Sequence, residues 1–284
     1  MGVPGDPRRG RTACGAGTHP PAAGADHGGG RVNHPIAQQT TGEFADARPT
    51  VALIPVGATE QHGPNLAMGV DWRIAEQIAG QVAQRVTPLA VVAPALPYGL
   101  SAHHMGFAGT ISISAHSFTS VLTDVARSLQ RHGIGKVVFV NGHRGNENIL
   151  GVLITELTHE HGIEAASAFW MTQAADVIAG LRKTTRWGHA CEIETSVAMA
   201  LVPELVRSDA LEPGDLTDDY LPFEDNYQPH ALQVPRSFGS RTRNGAFGDA
   251  RYATAEAGTE IVAAAVERTA EFVRALAQRP GTGE

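Results

Sequence analysis

The chain has 284 residues, and its 22 Lys+Arg against 29 Asp+Glu give a formal charge of -7. That balance excludes a basic field able to hold a nucleic-acid backbone or an anionic membrane, and no apolar run approaches the roughly 20 residues that span a bilayer. Hydrophobic residues at 42% and charged residues at 18% describe an ordinary globular domain, and the 2 cysteines, Cys14 and Cys191, make no disulfide scaffold, which fits a reducing, cytoplasmic compartment.

Residues 1–45 read as a disordered or loosely attached extension. Residues 1–30 are dense in Gly and Pro and lack the apolar side chains that would offset ordering entropy. No apolar stretch follows Arg8, Arg9 and Arg11 as it would in a signal peptide, so export by that route is not expected. His19, His27 and His34 are given no role.

From about residue 50 the pattern alternates. VALIPV at 51–56 is a strand buried on both faces. Ile74, Ile78, Val82 and Val86 recur every four residues after Asp71, which predicts an amphipathic helix with Asp71 as its N-cap. Residues 89–99 give a strand with a Pro/Gly stop. Residues 118–132 carry Val121, Leu122, Val125 and Leu129 and form a helix closed by Gly133. Further on come a strand at 136–140, a helix at 148–161 ended by Gly162, a strand at 163–170, and helices at 192–206 and 253–278. The stretch 207–250 is rich in Pro, Gly, Asp and Asn and reads as a long loop, with Tyr220, Phe223, Tyr227 and Phe238 available to a pocket or an oligomer contact.

Short connections between alternating strands and helices predict an α/β fold. The expected form is a single-domain three-layer sandwich over residues 46–280, with a mostly parallel sheet covered by helices on both faces. Such sheets bind ligands at the carboxyl ends of their strands, where the strand order reverses. The unusual residues lie there. Glu60 and His62 follow the first strand, Asp71 opens the next helix, His143 stands in NGHRGN after the central strand, and His189, Glu192 and Glu194 follow a later one. Carboxylates and imidazoles on one rim are ligands for Zn²⁺, Mn²⁺ or Fe²⁺. They outnumber the needs of one four-coordinate ion, and an Asp can bridge two, so a two-ion site fits better. Taken singly, Asp71 as a cap, His143 in an Asn-Gly turn, Glu192 and Glu194 as first-turn acids and His189 as a buried histidine all have ordinary explanations; together on one rim they do not. His103 and His104 follow the second strand's stop, so one of them faces the same rim as a substrate contact. His132, His159 and His161 suit helix C-termini, and His116 and His230 have no partner pattern.

Gly57-Ala58-Thr59-Glu60-Gln61-His62-Gly63-Pro64 followed by Asp71 resembles the first block of the creatininase family of metal-dependent amidohydrolases. Three further blocks follow in order: Pro97 to Ser101 through Phe107 to Thr110, Asn141-Gly142-His143-Arg144-Gly145-Asn146, and His189-Ala190 ending in Glu194-Thr195-Ser196. The resemblance implies a creatininase-like fold, a homo-oligomer (a hexamer) and two divalent ions per chain. Glu60, Asp71 and His143 would hold one ion. His62 and the bridging Asp71 would hold the other, with Glu194, or Glu192 as runner-up, replacing the Glu ligand of creatininase whose position is Gly145 here. Arg144 and Thr185 stand where the creatinine enzyme has aromatic residues, though Trp187 is near, so creatinine itself is not the expected substrate.

The implied chemistry is hydrolysis of a C–N amide-type bond in a cyclic amide, formamide or short peptide by a hydroxide bridging the ions. His189 would carry the proton, and Arg144, Ser101, His104 and Trp187 would contact substrate, Arg144 through an anionic group. No nucleic-acid or membrane partner is expected. The alternatives are a non-catalytic scaffold of the same fold and a small-ligand-binding α/β domain. The glycine-rich phosphate loops and the GxSxG elbow of other α/β proteins are absent.

Overall fold

The computed structural model describes residues 1–2, 35–222 and 232–280, and contacts divide the chain into Met1–Arg31 and Val32–Glu284. Every element below belongs to the second unit. Cys14, His19, His27, His34, Phe223, Tyr227 and His230 lie outside the described residues, as does most of the extension expected at 1–45.

A short helix, α1 (Thr41–Ala47), precedes the sheet. Thr40 accepts from the Glu43 N–H while the Glu43 carboxylate accepts from Thr40 N at 2.7 Å, a reciprocal cap that satisfies two orphan donors. The β-branched run then forms β1 (Val51–Val56), buried along its whole length. Next come α2 (Val70–Arg85), β2 (Ala90–Val92), α3 (Ala115–Arg131), β3 (Lys136–Asn141), α4 (Glu147–His161) and β4 (Glu164–Phe169). Short helices α5 (Trp170–Gln173) and α6 (Ala175–Leu181) lead to α7 (Glu192–Leu201) and the long α8 (Ala255–Gln278).

The sheet is wholly parallel, in the order β2-β1-β3-β4. Leu53, Val138 and Val140 pack on one face against Ile74 and Ile78 of α2, Val197 of α7 and Val266 of α8. Ile54 and Phe139 pack on the other against Leu122 of α3 and Leu150, Leu153 and Leu157 of α4. Three layers result, and each fully buried aliphatic or aromatic side chain contributes about 1.5–3 kcal/mol. Helices on both faces explain why the strands read as continuous apolar runs rather than alternating ones. None of the described helices is long and apolar enough to cross a membrane.

Element edges differ from the sequence reading where a local cue was overlooked. Ser114 caps α3 by accepting from Ser117 N, so that helix begins earlier than residue 118. Pro203 ends α7, and the rest of the expected 192–206 helix is a 3-10 turn. Beyond Val92 the expected strand at 89–99 is not continuous: it meets β1 through Ala93 N, which donates to Leu53 O at 2.9 Å, and through an isolated bridge between Val56 and Leu96.

Candidate metal centre

Strand order reverses between β1 and β3, and Val56 is in register with Asn141, so the two strands end side by side. Glu60 and His62 leave β1 on this rim and His143 leaves β3. The start of α2 is pressed against the same rim at Gly142, where a β-carbon would lie 2.1 Å from the Asp71 carbonyl oxygen. Only glycine permits that approach. Asp71 itself is not the N-cap expected from its place in the sequence. Gly69 holds that position without a side-chain bond, and Asp71 sits in the first turn with its carboxylate turned toward the histidines.

Each oxygen of Asp71 has its own histidine. His62 Nε2 lies 3.0 Å from Oδ1 and 3.6 Å from Glu194 Oε2; His143 Nδ1 lies 3.2 Å from Oδ2 and 3.3 Å from Glu60 Oε1. The far nitrogens are committed to backbone. His62 Nδ1 donates to the Glu60 carbonyl at 3.1 Å, and His143 Nε2 donates to the Leu100 carbonyl at 3.2 Å. As neutral rings, both therefore aim a lone pair at carboxylate oxygens, an arrangement that repels unless a cation lies between. Both oxygens of Glu60 and Oδ2 of Asp71 are buried without a formed hydrogen bond.

Burial pulls the pKa of His62 down, but the carboxylates of Asp71 and Glu194 overcome it and leave the ring well above 6.5; Glu60 and Asp71 do the same for His143. Burial raises Asp71, and His62 then His143 more than reverse this, holding it well below the usual carboxylate range. The cluster demands positive charge. Ligand bonds of about 2.1 Å set tetrahedral neighbours roughly 3.4 Å apart, close to the separations here. Glu60–Asp71–His143 and His62–Asp71–Glu194 each fit a divalent ion, with the remote histidine N–H fixed as metal-ligating rings require.

Glu194 and Glu192 have separate tasks. Glu194 Oε2 accepts from Ala190 N at 2.6 Å and faces the cluster. Glu192 Oε1 instead accepts from Lys183 N, Thr184 N and Thr184 Oγ1 at 3.1, 2.9 and 2.6 Å, tying down the strap before His189. Ala190 holds a φ of 47°, left-handed backbone that costs a residue with a β-carbon about 1–2 kcal/mol. This turn lies between His189, which enters the cavity, and Glu194. Burial, then the charge of His62, pushes His189 well below 6.5 and keeps it neutral. Burial and the charges of Glu192 and Glu194 push the Cys191 thiol up to about 12, so the buried cysteine is no nucleophile.

Above the floor opens a cavity of about 780 Å³. His104, Arg144 and Trp187 line it as expected from sequence, together with His103. Ser101 does not; it is buried behind the wall, its carbonyl accepting from His104 N at 2.9 Å. Phe238, one of the four loop aromatics offered to a pocket or an oligomer contact, lines the cavity; Phe247 and Arg241 line it too and were not singled out from sequence. The Arg241 guanidinium lies 4.4 Å from the ring centre of Phe247 and 5.9 Å from that of Phe238. The one signal was the turn-rich composition of 207–250, which marks a loop without saying which side chains turn inward.

A profile of the creatininase family, described as creatinine amidohydrolase, matches residues 37–273. The chain belongs to the creatininase family. Among its relatives in the family is the mycofactocin precursor peptide peptidase of Mycolicibacterium smegmatis, 34% identical over 79% of this chain and 84% of that protein. Another is the creatinine amidohydrolase of Pseudomonas putida, 28% identical over 79% of this chain and 88% of that one. A solved manganese creatininase superposes with a TM-score of 0.70 at 26% identity, covering 86% of this chain and 98% of its own. The chain is thus a creatininase-family amidohydrolase, a hydrolase of C–N bonds with a cluster of metal-ligand type.

Proposed function

We infer that the chain hydrolyses an amide-type C–N bond with two divalent ions, Zn, Mn or Fe, one held by Glu60, Asp71 and His143 and the other by His62, Asp71 and Glu194. The observation that carries this reading is Asp71, which turns one carboxylate oxygen to each histidine. Bound there, the ions supply Lewis acidity that polarises the scissile carbonyl and acidifies the attacking water.

The chain's own side chains supply the rest. His189 Nδ1 takes the proton of the attacking water and returns it to the departing nitrogen, as a neutral imidazole can. Trp187, Phe238 and Phe247 keep bulk water from the floor. Arg144, about a third exposed at the cavity wall, engages an anionic group of the substrate with its planar fork. A cavity of about 780 Å³ holds more than a small cyclic amide, and with the peptidase relative it favours a short peptide over lactams and formamides. The same reading makes the protein a cytoplasmic homo-oligomer, a hexamer by family resemblance.

The test is metal analysis followed by turnover assays. Protein purified without chelator should carry about two equivalents of metal per chain. Short peptides, formamides and lactams are then compared, with Glu60→Gln as the inactive control. No bound metal, or full activity in the control, overturns the reading, and preference for a lactam overturns the peptide assignment.

A further inference from the structure

Gln61 is buried among partners whose hydrogen-bonding sense is fixed. Gly63 N donates to its Oε1 at 2.9 Å, and its Nε2 donates to Gly245 O at 3.1 Å. Reversing the amide would set donor against donor at Gly63 and acceptor against acceptor at Gly245. Nε2 has two hydrogens. One serves Gly245 O and the other points at His104 Nδ1, 2.8 Å away. His104 Nδ1 must then accept, so its ring proton sits on Nε2, 3.3 Å from Glu60 Oε1. His189 Nε2 lies 3.1 Å from the same amide nitrogen, which has no hydrogen left for it, and instead donates to the Gln61 carbonyl at 2.7 Å. Its lone pair is left on Nδ1, 3.8 Å from Glu60 Oε1.

We propose that Gln61 is a positioning residue that gives two cavity histidines opposite polarity toward the metal ligands, His104 with its Nε2–H turned toward Glu60 and His189 with a bare Nδ1. The side chain sets one ring and the carbonyl of the same residue sets the other. Glu60, His103 and His104 are one of two further groups with cation-site spacing, the other being Glu60, His62 and His189, but the inward nitrogen of His104 carries a hydrogen and offers the ion no lone pair. His104 instead turns the positive edge of a neutral ring toward Glu60 Oε1, 3.3 Å away, while His189 is left as the proton acceptor that hydrolysis needs.

Nitrogen-15 NMR of the full chain labelled at histidine tests this, with His104→Gln and His189→Gln used to assign the two rings. The wild type should show both rings neutral and protonated on Nε2, with Nδ1 bare. A proton on Nδ1 of either ring overturns the proposal. Gln61→Glu, studied at a pH at which the carbon-13 shift of its labelled carboxyl shows it ionised, replaces the donor at His104 by an acceptor. It should move the His104 proton to Nδ1 and leave His189 as it was; an unchanged His104 spectrum overturns the proposal. If that variant does not fold, the wild-type spectrum alone decides. Only the kinetic arm rests on the hydrolase reading: Gln61→Glu should lower kcat about 10–100-fold with KM little changed, and wild-type kcat in a variant whose His104 proton has moved refutes the positioning role. A chain that turns over no amide but shows the expected spectrum would refute the hydrolase reading and leave the tautomer assignment standing.

Discussion

His62 Nε2 stands 3.0 Å from Asp71 Oδ1 while Nδ1 of the same ring is tied to the Glu60 carbonyl. A proton or a metal ion has to occupy the space between them. Asp71 makes the equivalent approach to His143 through its other oxygen, so one substitution disturbs both halves of the centre. Asp71→Asn should reduce bound metal from about two equivalents to well under one after dialysis, and lower kcat/KM by more than about 100-fold. Elemental analysis showing two retained equivalents would remove the bridge.

The two acids of α7 predict opposite phenotypes. Glu194→Ala should lose metal, and in the metal-free chain it strips one acceptor, that of Ala190 N, at a cost of about 1 kcal/mol. Glu192→Ala strips acceptors from Lys183 N, Thr184 N and Thr184 Oγ1 and should cost about 3 kcal/mol while metal content is kept. Denaturant melts beside metal analysis separate them, and the reverse pattern would make Glu192 the ligand.

At position 145 a β-carbon would fall 2.3 Å from His143 Nε2 and 2.6 Å from the Leu100 carbonyl oxygen, a backbone atom that cannot retreat cheaply. Gly145→Ala should therefore displace the His143 ring, weaken metal binding at least tenfold and cost about 1–3 kcal/mol. Metal affinity equal to that of the wild type would show that the ring has room to move.

The metal-free chain should be sensitive to alkali. His62 and His143 are raised in the folded state, so their stabilising contribution is complete below the unfolded value near 6.5 and is lost as pH rises through the folded values. Asp71 is depressed, so its contribution holds above the unfolded value of 3.8 and is lost only as pH falls through its folded one. Between about pH 7 and pH 10 the melting temperature of metal-free protein should drop by roughly 3 °C or more. Metal-loaded protein should not follow, because ions replace the ring protons. A flat metal-free profile would count against the charge balance described for the floor.

Arg144 is paired with Glu147 at 3.3 Å yet lines the cavity wall, with about a third of its side chain exposed. Arg144→Ala should raise KM for an anionic substrate about tenfold and leave kcat nearly unchanged. An unchanged KM removes it from substrate recognition.

Much of the fold was legible because the sheet is covered on both faces. That burial makes β1 and β3 unbroken apolar runs and places Ile74, Ile78 and Val82 on one stripe of α2. The floor was legible because its residues follow strands whose ends share one rim. The walls were not. Gln61 meets Gly245 across 184 positions, and Phe238 and Phe247 sit in a stretch without helical or strand period, so nothing local marks them as facing Glu60. Helix α1 was missed for a different reason: it has only 7 residues, Gly42 interrupts it, and its one cue is the Thr40 to Glu43 spacing. Asp71 was read as the cap although the cap lies two positions earlier, at Gly69, because a cap and a ligand can be the same residue type at a helix start.

The Asp71 carbonyl rests against Gly142 with no side chain between them. Main chain touching main chain leaves no padding to be remodelled, so the gap between Asp71 and His143 is a property of how the start of α2 meets the end of β3 rather than of side-chain choice. Drift in the 232–247 segment can reshape what enters the chamber without retuning that gap. New substrates would be won by redecorating the vestibule over an inherited foundation.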